Sequence, residues 1–536
     1  MPGTGEWKVG SHVVFAIAAC VVFAAYVHRI EAHPAYVDYD SATLGIFVND
    51  LSFHERFDLT FHSSGVFQDR YRRAWAAAAL PLSLPLSLVQ RGLGIPPVRV
   101  GTLVRAAGLA LAFLGALAAA LALCRRRNSR ATDVLFVAGL TTTFPPFLLL
   151  ARTGFPNVML PFLVFWTAIL LTVRWAESGR GVWLHLLAVA LAVGALQPYP
   201  PLLALPVILV AIVVVHGRVR ATMRSPHPYV AVALGFGLTL AASFAIGTLV
   251  VGSRETHRAE VRVFQDLRSG AVSPRAALAA PLTAKVRKLA SHHLWFAPDP
   301  LGDRSRDETP WTLGHVHVGW LALVPIGLLG LAGLTRRSDT ALRIAGVVLA
   351  GCLVLFLTIV LPEGRYAVVL VPCYAFLVLR GFDRLVSSAA ARRAVLGATL
   401  LVFAVETYAR VAGDYDRAMD AAWRSVAPMT EAMRLIGRPA DGEHWQMALP
   451  MGPTYKPELY FRMLANGEIE WVGIMALLAR LAPSVRVERA ERLLVVWRDE
   501  EGTDELWIGR GFQPLHRWDA GSGAGRFVLF ERRLVP

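Results

Sequence analysis

A series of apolar runs, each long enough to cross a lipid bilayer as a helix, limits what this chain can fold into. The hydrocarbon core is about 30 Å thick and takes roughly 20 helical residues. Eleven runs meet that length, at approximately 11–28, 99–123, 132–150, 155–173, 182–198, 200–216, 228–251, 316–335, 342–361, 366–382 and 394–412. They must be helical, because hydrocarbon offers no partner to a backbone N–H or C=O. Only 17% of the residues are charged and 55% are hydrophobic, whereas a soluble domain carries about 25% charged residues. The first run follows Lys8 and is not succeeded by a small-x-small cleavage site, so it reads as an uncleaved span.

Charge orients the spans. The formal net charge is +15, and nearly all the basic residues are arginine, since only Lys8, Lys285, Lys288 and Lys456 are lysines. With the N-terminus inside, the inner loops hold Arg125–Arg127, Arg130, Arg174, Arg180, Arg218, Arg220, Arg224, Arg336, Arg337, Arg384, Arg392 and Arg393. The short outer loops hold little beyond Arg152 and the pair Glu363 and Arg365. That asymmetry is the positive-inside bias. A further apolar stretch, Ala74–Val89, contains Pro81 and Pro85, each of which removes a helix hydrogen bond. Counted as a span it would put the arginine clusters outside, so it reads as an interfacial or re-entrant helix. The basic balance belongs to the membrane, and no nucleic-acid-binding motif is present.

The fold expected is an all-α polytopic membrane bundle over 1–412, with outer loops at 29–98 and 252–315. A small extracytoplasmic α/β domain follows over 413–536. In that tail, strands are expected at Gln446–Leu449, Leu493–Trp497 and Arg526–Phe530, and helices near 416–436 and 470–482. Cys20, Cys124, Cys352 and Cys373 all sit in or beside apolar runs without metal-ligand spacing, and read as small core residues.

The residues that could carry chemistry collect on the outer side. Asp38 and Asp40 stand just beyond the first span, before a stretch (Ser41–Phe53) whose apolar spacing suits an amphipathic surface helix. They could serve as a general base, or simply cap that helix. The second outer loop has no acidic residue between Leu267 and Pro298 but carries Lys285, Arg287, Lys288, His292 and His293. Such a set suits a phosphate, and equally a solvated loop drawn to anionic headgroups. Arg365 and Tyr366 occupy the outer turn Pro362–Tyr366, where the arginine could hold a lipid phosphate or snorkel to water. His315 and His317, two residues apart, do not share a helix face and suggest no metal.

Taken together, these elements resemble the GT-C glycosyltransferases, in the branch of the protein O-mannosyltransferases and the lipid A aminoarabinose transferases. The segment from Asp40 to Leu51 resembles their acidic motif and the helix after it. Pro81–Leu86, then Gly92–Arg105, resembles their proline-containing juxtamembrane helix and the arginine opening the second span. Gly364-Arg365-Tyr366 with Pro372 resembles their Arg-Tyr-x(5)-Pro element. Asn157 stands where the family usually has an acidic residue, and Ser41 where a glutamate often follows the aspartate. The family's Lys-Pro-Pro is missing, leaving Arg70, Arg72 or Arg73 in its place.

The resemblance implies an inverting, metal-independent glycosyltransferase in a bacterial inner membrane, with its site facing outward. It would move a sugar from a polyprenyl-phosphate carrier to a lipid, glycan or protein acceptor, without a cofactor. Asp40, or Asp38 as alternate, would be the base; Arg365, Tyr366, Lys285, Arg287 and Lys288 would hold the donor phosphate. Asn157, Arg70, His292 and His293 are candidate substrate-binding residues. The rival reading is a transporter or lipid flippase, but such proteins carry polar residues at mid-span and internal repeats, and here the polar content gathers on one face.

Overall fold

The computed structural model describes residues 6–31, 39–53, 68–96, 99–124, 131–152, 156–197, 207–212, 224–249, 283, 318–332, 340–358, 368–416, 445–448, 469–471, 492–497, 508–509, 511–519 and 526–532. The helices are α1 (Glu6–Val27), α2 (Tyr39–Phe53), α3 (Gln68–Leu93), α4 (Val100–Leu123), α5 (Ala131–Thr142), α6 (Pro145–Arg152), α7 (Pro156–Ser178) and α8 (Gly181–Ala195). After a short helix at 207–212 come α9 (His227–Leu249), α10 (Val318–Leu331), α11 (Thr340–Thr358), α12 (Val371–Leu385) and α13 (Ala389–Arg410). Among the described residues, three helical stretches are long and apolar enough to cross a membrane: Val100–Leu123, Val158–Ser178 and Ala389–Gly413. Shorter apolar helices accompany them.

The apolar run 132–150 is broken into α5 and α6 for a legible reason. Pro145 and Pro146 lack amide hydrogens, and the residue before a proline is pushed away from the helical region. The carbonyl of Thr142, which would have bonded to the amide of residue 146, instead accepts the Tyr26 hydroxyl at 2.7 Å. The next carbonyl, Thr143, accepts from Thr407 Oγ1 at 3.4 Å. The break is thereby tied to α1 on one side and α13 on the other.

The centre of the bundle is the packing of α4 on α7, where Phe162, Phe165 and Trp166 are fully buried. Gly115 admits the Phe162 ring; a Cβ there would stand 2.5 Å from it. Trp166 donates its indole N–H to the Val369 carbonyl at 3.1 Å, fixing the 3-10 turn at 368–370 that leads into α12. Helices α10 and α12 cross still more closely. A Cβ on Gly330 would overlap the Leu377 carbonyl, and one on Gly381 the Ile326 carbonyl. Small residues at such a crossing are how helices associate where lipid removes the hydrophobic incentive.

Two polar clusters mark the ends of the bundle. At one end Arg392, opening α13, meets Asp133 of α5 at 2.8 Å and Asp383 of α12 at 2.5 Å, while Arg380 meets Asp383 at 3.1 Å. At the other end Arg152 closes α6 and Asp416 follows α13, 3.8 Å apart.

Beyond the bundle lies a five-stranded mixed sheet of order β2-β1-β3-β5-β4, formed by β1 (Trp445–Ala448), β2 (Ile469–Trp471), β3 (Arg492–Trp497), β4 (Phe512–Asp519) and β5 (Arg526–Arg532). β1 runs parallel to β2 and β3; β5 runs antiparallel to β3 and β4. Strands β1, β3 and β5 overlap the three expected from sequence. β2 occupies the first residues of the helix expected near 470–482, and the helix expected near 416–436 lies outside the described residues after Asp416. β4 tolerates Pro514 because it is an edge strand, with one neighbour and a register shift between Pro514 and His516.

Candidate active site

The acidic segment is held by α2. The helix begins at Tyr39, so Asp40 is its second residue and Asp38 lies just outside the described residues. Leu44, Phe47, Val48 and Leu51, four, seven, eight and eleven positions after Asp40, are all buried. Asp40 lies on the same helix, one turn before the first of them. Here the structure departs from the expected surface helix: α2 packs against α3, α4 and α7.

Helix α3 runs unbroken through Pro81 and Pro85, and beyond Leu82 it turns its polar side chains inward. Ser83, Ser87 and Gln90, at i, i+4 and i+7, are buried, while Leu84, Leu88 and Leu93 are exposed, Leu93 to 72%. Polar side chains inward and leucines outward is the arrangement a helix adopts against lipid, where interhelical hydrogen bonds substitute for hydrophobic association. Gln90 makes such bonds, whereas Ser87 Oγ returns to the Leu84 carbonyl of its own helix at 2.8 Å. Gln90 Nε2 donates to Asn49 Oδ1 at 2.8 Å, and Ser52 Oγ approaches Gln90 Oε1 at 2.6 Å and the Val48 carbonyl at 2.7 Å. Arg91 adds a bond from its guanidinium to the Leu51 carbonyl, on the last turn of α2.

One turn into α4, Arg105 is 4% exposed within an otherwise apolar helix, with its Nε donating to the Gly101 carbonyl at 3.4 Å. A guanidinium stays ionised at any accessible pH, so α4 carries a permanent positive charge among its buried residues.

A second buried arginine is Arg152, 5% exposed. The last carbonyls of a helix have no partner of their own, and Arg152 supplies one: its guanidinium donates to the carbonyls of Ala25, Tyr26 and His28 at the end of α1, the last at 2.8 Å. A cation there also suits the helix dipole. Arg29 takes a left-handed φ of 49°, the conformation that usually terminates a helix with glycine. Helix α13 ends in a π turn, Val411–Tyr415, and Asp416 follows it, 3% exposed. Its carboxylate meets His28 at 3.1 Å, Arg29 at 3.6 Å and Arg152 at 3.8 Å.

Of the residues singled out from sequence, Asp40 opens α2, Arg70 is the third residue of α3 and Asn157 the second of α7. The backbone of all three is described, and the contacts of α2 with both α3 and α7 bring their helices together. Asp38, Lys285, Arg287, Lys288, His292, His293, Arg365 and Tyr366 lie outside the described residues. Among the described residues no group of three His, Cys, Asp or Glu side chains could hold a metal ion. Sequence reasoning passed over Asn49, Ser52, Gln90 and the Arg152–Asp416 cluster. The first set left a signal, polar residues at helical spacing inside an apolar stretch; the second, whose partners lie more than a hundred residues apart, left none.

The fold is that of the GT-C glycosyltransferases, and the chain is an integral membrane protein. The similarity extends end to end to ArnT from Cupriavidus metallidurans. The crystal structure of that protein bound to undecaprenyl phosphate superposes with a TM-score of 0.60 at 12% identity, covering 98% of each chain. Its apo crystal structure gives the same TM-score at 11% identity. A looser likeness, TM-score 0.43 at 14% identity, is to the apo oligosaccharyltransferase of Archaeoglobus fulgidus, over 90% of this chain and 69% of that one; it is too distant to bear on the site. No protein-family model matches the sequence, and no curated protein sequence matches it.

Proposed function

We propose that this protein transfers a sugar from a polyprenyl-phosphate carrier to an acceptor hydroxyl at the outer face of a bacterial inner membrane. The observation that carries the reading is the end-to-end likeness to ArnT, which binds undecaprenyl phosphate, together with α2, the helix that opens with Asp40, packed against α3, α4 and α7 of the bundle. The bundle is read with eleven spans and its N-terminus inside, which leaves the C-terminal domain, 413–536, outside.

In the step proposed, the Asp40 carboxylate, with Asp38 as alternate, takes the proton of the acceptor hydroxyl. The acceptor oxygen bonds to the anomeric carbon as that carbon's bond to the phosphate oxygen breaks, with inversion. The electron pair leaves on the phosphate, and the polyprenyl phosphate departs as product. Arg365, Tyr366, Lys285, Arg287 and Lys288 neutralise the departing phosphate, the kind of electrostatic stabilisation that dominates such steps. Cationic side chains in this number make a metal unnecessary. Asn157, Arg70, His292 and His293 are the candidates to bind the sugar and the acceptor. Carrier and membrane lipid are the partners; the acceptor is a lipid, glycan or protein.

The test is transfer by the purified protein from a panel of radiolabelled undecaprenyl-phosphate sugars (mannose, glucose, galactose, arabinose and aminoarabinose) to a membrane extract, with and without EDTA. Label should pass from one donor to the acceptor fraction at an EDTA-insensitive rate. Absence of transfer from every donor, with the protein folded and binding undecaprenyl phosphate, would contradict the reading.

A further inference from the structure

We infer that Asn49, Ser52 and Gln90 are positioning residues for this transfer, fixing the rotation and depth of the helix that opens with Asp40; the inference rests on the function proposed above. Packing alone does not require them. Leu44, Phe47, Val48 and Leu51 already give α2 an apolar buried stripe, and leucine at 49, 52 and 90 would bury without the cost of desolvating amides and a hydroxyl. What an apolar stripe does not supply is direction, since it tolerates small rotations and slides. The polar trio does not.

Gln90 is the hub. Its amide nitrogen is bound to Asn49 at 2.8 Å and its amide oxygen to Ser52 at 2.6 Å, so one side chain of α3 grips two residues of α2 almost a turn apart. A shift of α2 by one residue, or a rotation of a few tens of degrees, breaks both bonds at once, and an unmade bond in this buried setting is costly. Asn49 is 2% exposed and Gln90 1%, so water cannot substitute. The depth of α3 is set in turn by its leucine edge, Leu84, Leu88 and Leu93, which faces away from the protein and suits the boundary of the acyl region. Through Gln90 the setting of α3 passes to α2, and so to the turn that carries Asp40.

The experiment is a double-mutant cycle. Gln90→Met, which removes both bonds at nearly constant volume, and Ser52→Ala, which removes one, are each made in the native protein and in Asp40→Asn. Transfer is followed from whichever undecaprenyl-phosphate sugar the donor panel identifies. Gln90→Met should lower kcat roughly ten- to hundredfold, the scale on which small misplacements of catalytic groups act, with donor KM unchanged. Ser52→Ala should give a smaller loss. In the Asp40→Asn background neither should cost anything further, because there is no base left to misplace; sites acting through one group are non-additive in this way.

The same fractional loss in both backgrounds, a loss confined to KM, or an unchanged rate in Gln90→Met would overturn the positioning role while leaving the transferase reading intact. Should Gln90→Met fail to fold, Ser52→Ala carries the cycle. Full turnover in Asp40→Asn would remove the base and the positioning role together, and no transfer by the native protein from any donor would remove all three.

Discussion

Asp416→Asn and Arg152→Met should differ in stability in a predictable order. Asp416 and Arg152 are 3% and 5% exposed, and the carboxylate is surrounded by His28, Arg29 and Arg152 at 3.1 to 3.8 Å. Removing one member of a buried ion pair costs about 3–5 kcal/mol when the survivor is left uncompensated. In Asp416→Asn the survivor is compensated in part. Arg152 keeps three carbonyl acceptors at the end of α1, and the new amide retains an acceptor oxygen, so the loss should fall to roughly 2 kcal/mol, below that range. Arg152→Met leaves those three carbonyls without the donor and Asp416 without its most buried partner, and belongs at the top of the range. Unfolding midpoints in detergent, with hydrogen exchange over 405–416, should therefore rank native above Asp416→Asn above Arg152→Met, with exchange rising first in the π turn. Equal midpoints for all three proteins, or Asp416→Asn as the weakest, would refute the view that this cluster ties α1, α6 and α13 together.

Gly381→Ala should lower the unfolding midpoint by more than a typical surface change, because its Cβ would overlap the Ile326 backbone carbonyl; overpacking of this kind costs about 1–3 kcal/mol, and an unchanged midpoint would mean the α10–α12 crossing is looser than described. Replacing Lys285, Arg287 and Lys288 together by glutamine should weaken use of the polyprenyl-phosphate donor while the unfolding midpoint holds; normal turnover per folded molecule would end their phosphate role. An alkaline phosphatase fusion after Pro536 should be active and a cytoplasmic reporter at the same place silent, as eleven spans from an inside N-terminus require.

Much of the bundle was legible because lipid imposes one rule on every span. The helices begin and end within a few residues of the apolar runs at α4, α7 and α9, where nothing interrupts the run. Where helix and run part company, local chemistry explains it: Pro145 and Pro146 split 132–150, and the carbonyl they orphan is recovered by Tyr26, a partner 116 residues away. Ala74–Val89 was legible as a helix, and the structure extends it to 68–93. Its polar stripe could have been read as a contact face, but its partners Asn49 and Ser52 were hidden inside a stretch taken as a surface helix. The sheet was half legible. β3 and β5 are plain apolar strands, whereas β2 is three residues long and β4 carries Pro514 and His516 on an edge, a pattern with no clear period. The acidic pair was placed by its position after the first span, yet which aspartate acts depends on the start of α2 to within one residue, and sequence spacing alone does not fix a helix start so finely.

Asp40→Asn tests the central claim most directly. Asp40 is the second residue of α2 and not its cap, so asparagine keeps its size and gives up, beyond the basicity, only the dipole contribution of a first-turn carboxylate, about 0.3–1 kcal/mol. Loss of a general base lowers the rate by about 10²–10⁴, and Asp40→Asn should show that loss in transfer from the undecaprenyl-phosphate sugar, with a nearly unchanged unfolding midpoint and Asp38→Asn milder. Turnover at the native rate in Asp40→Asn, in Asp38→Asn and in the double variant would contradict it and leave the segment as a capped helix.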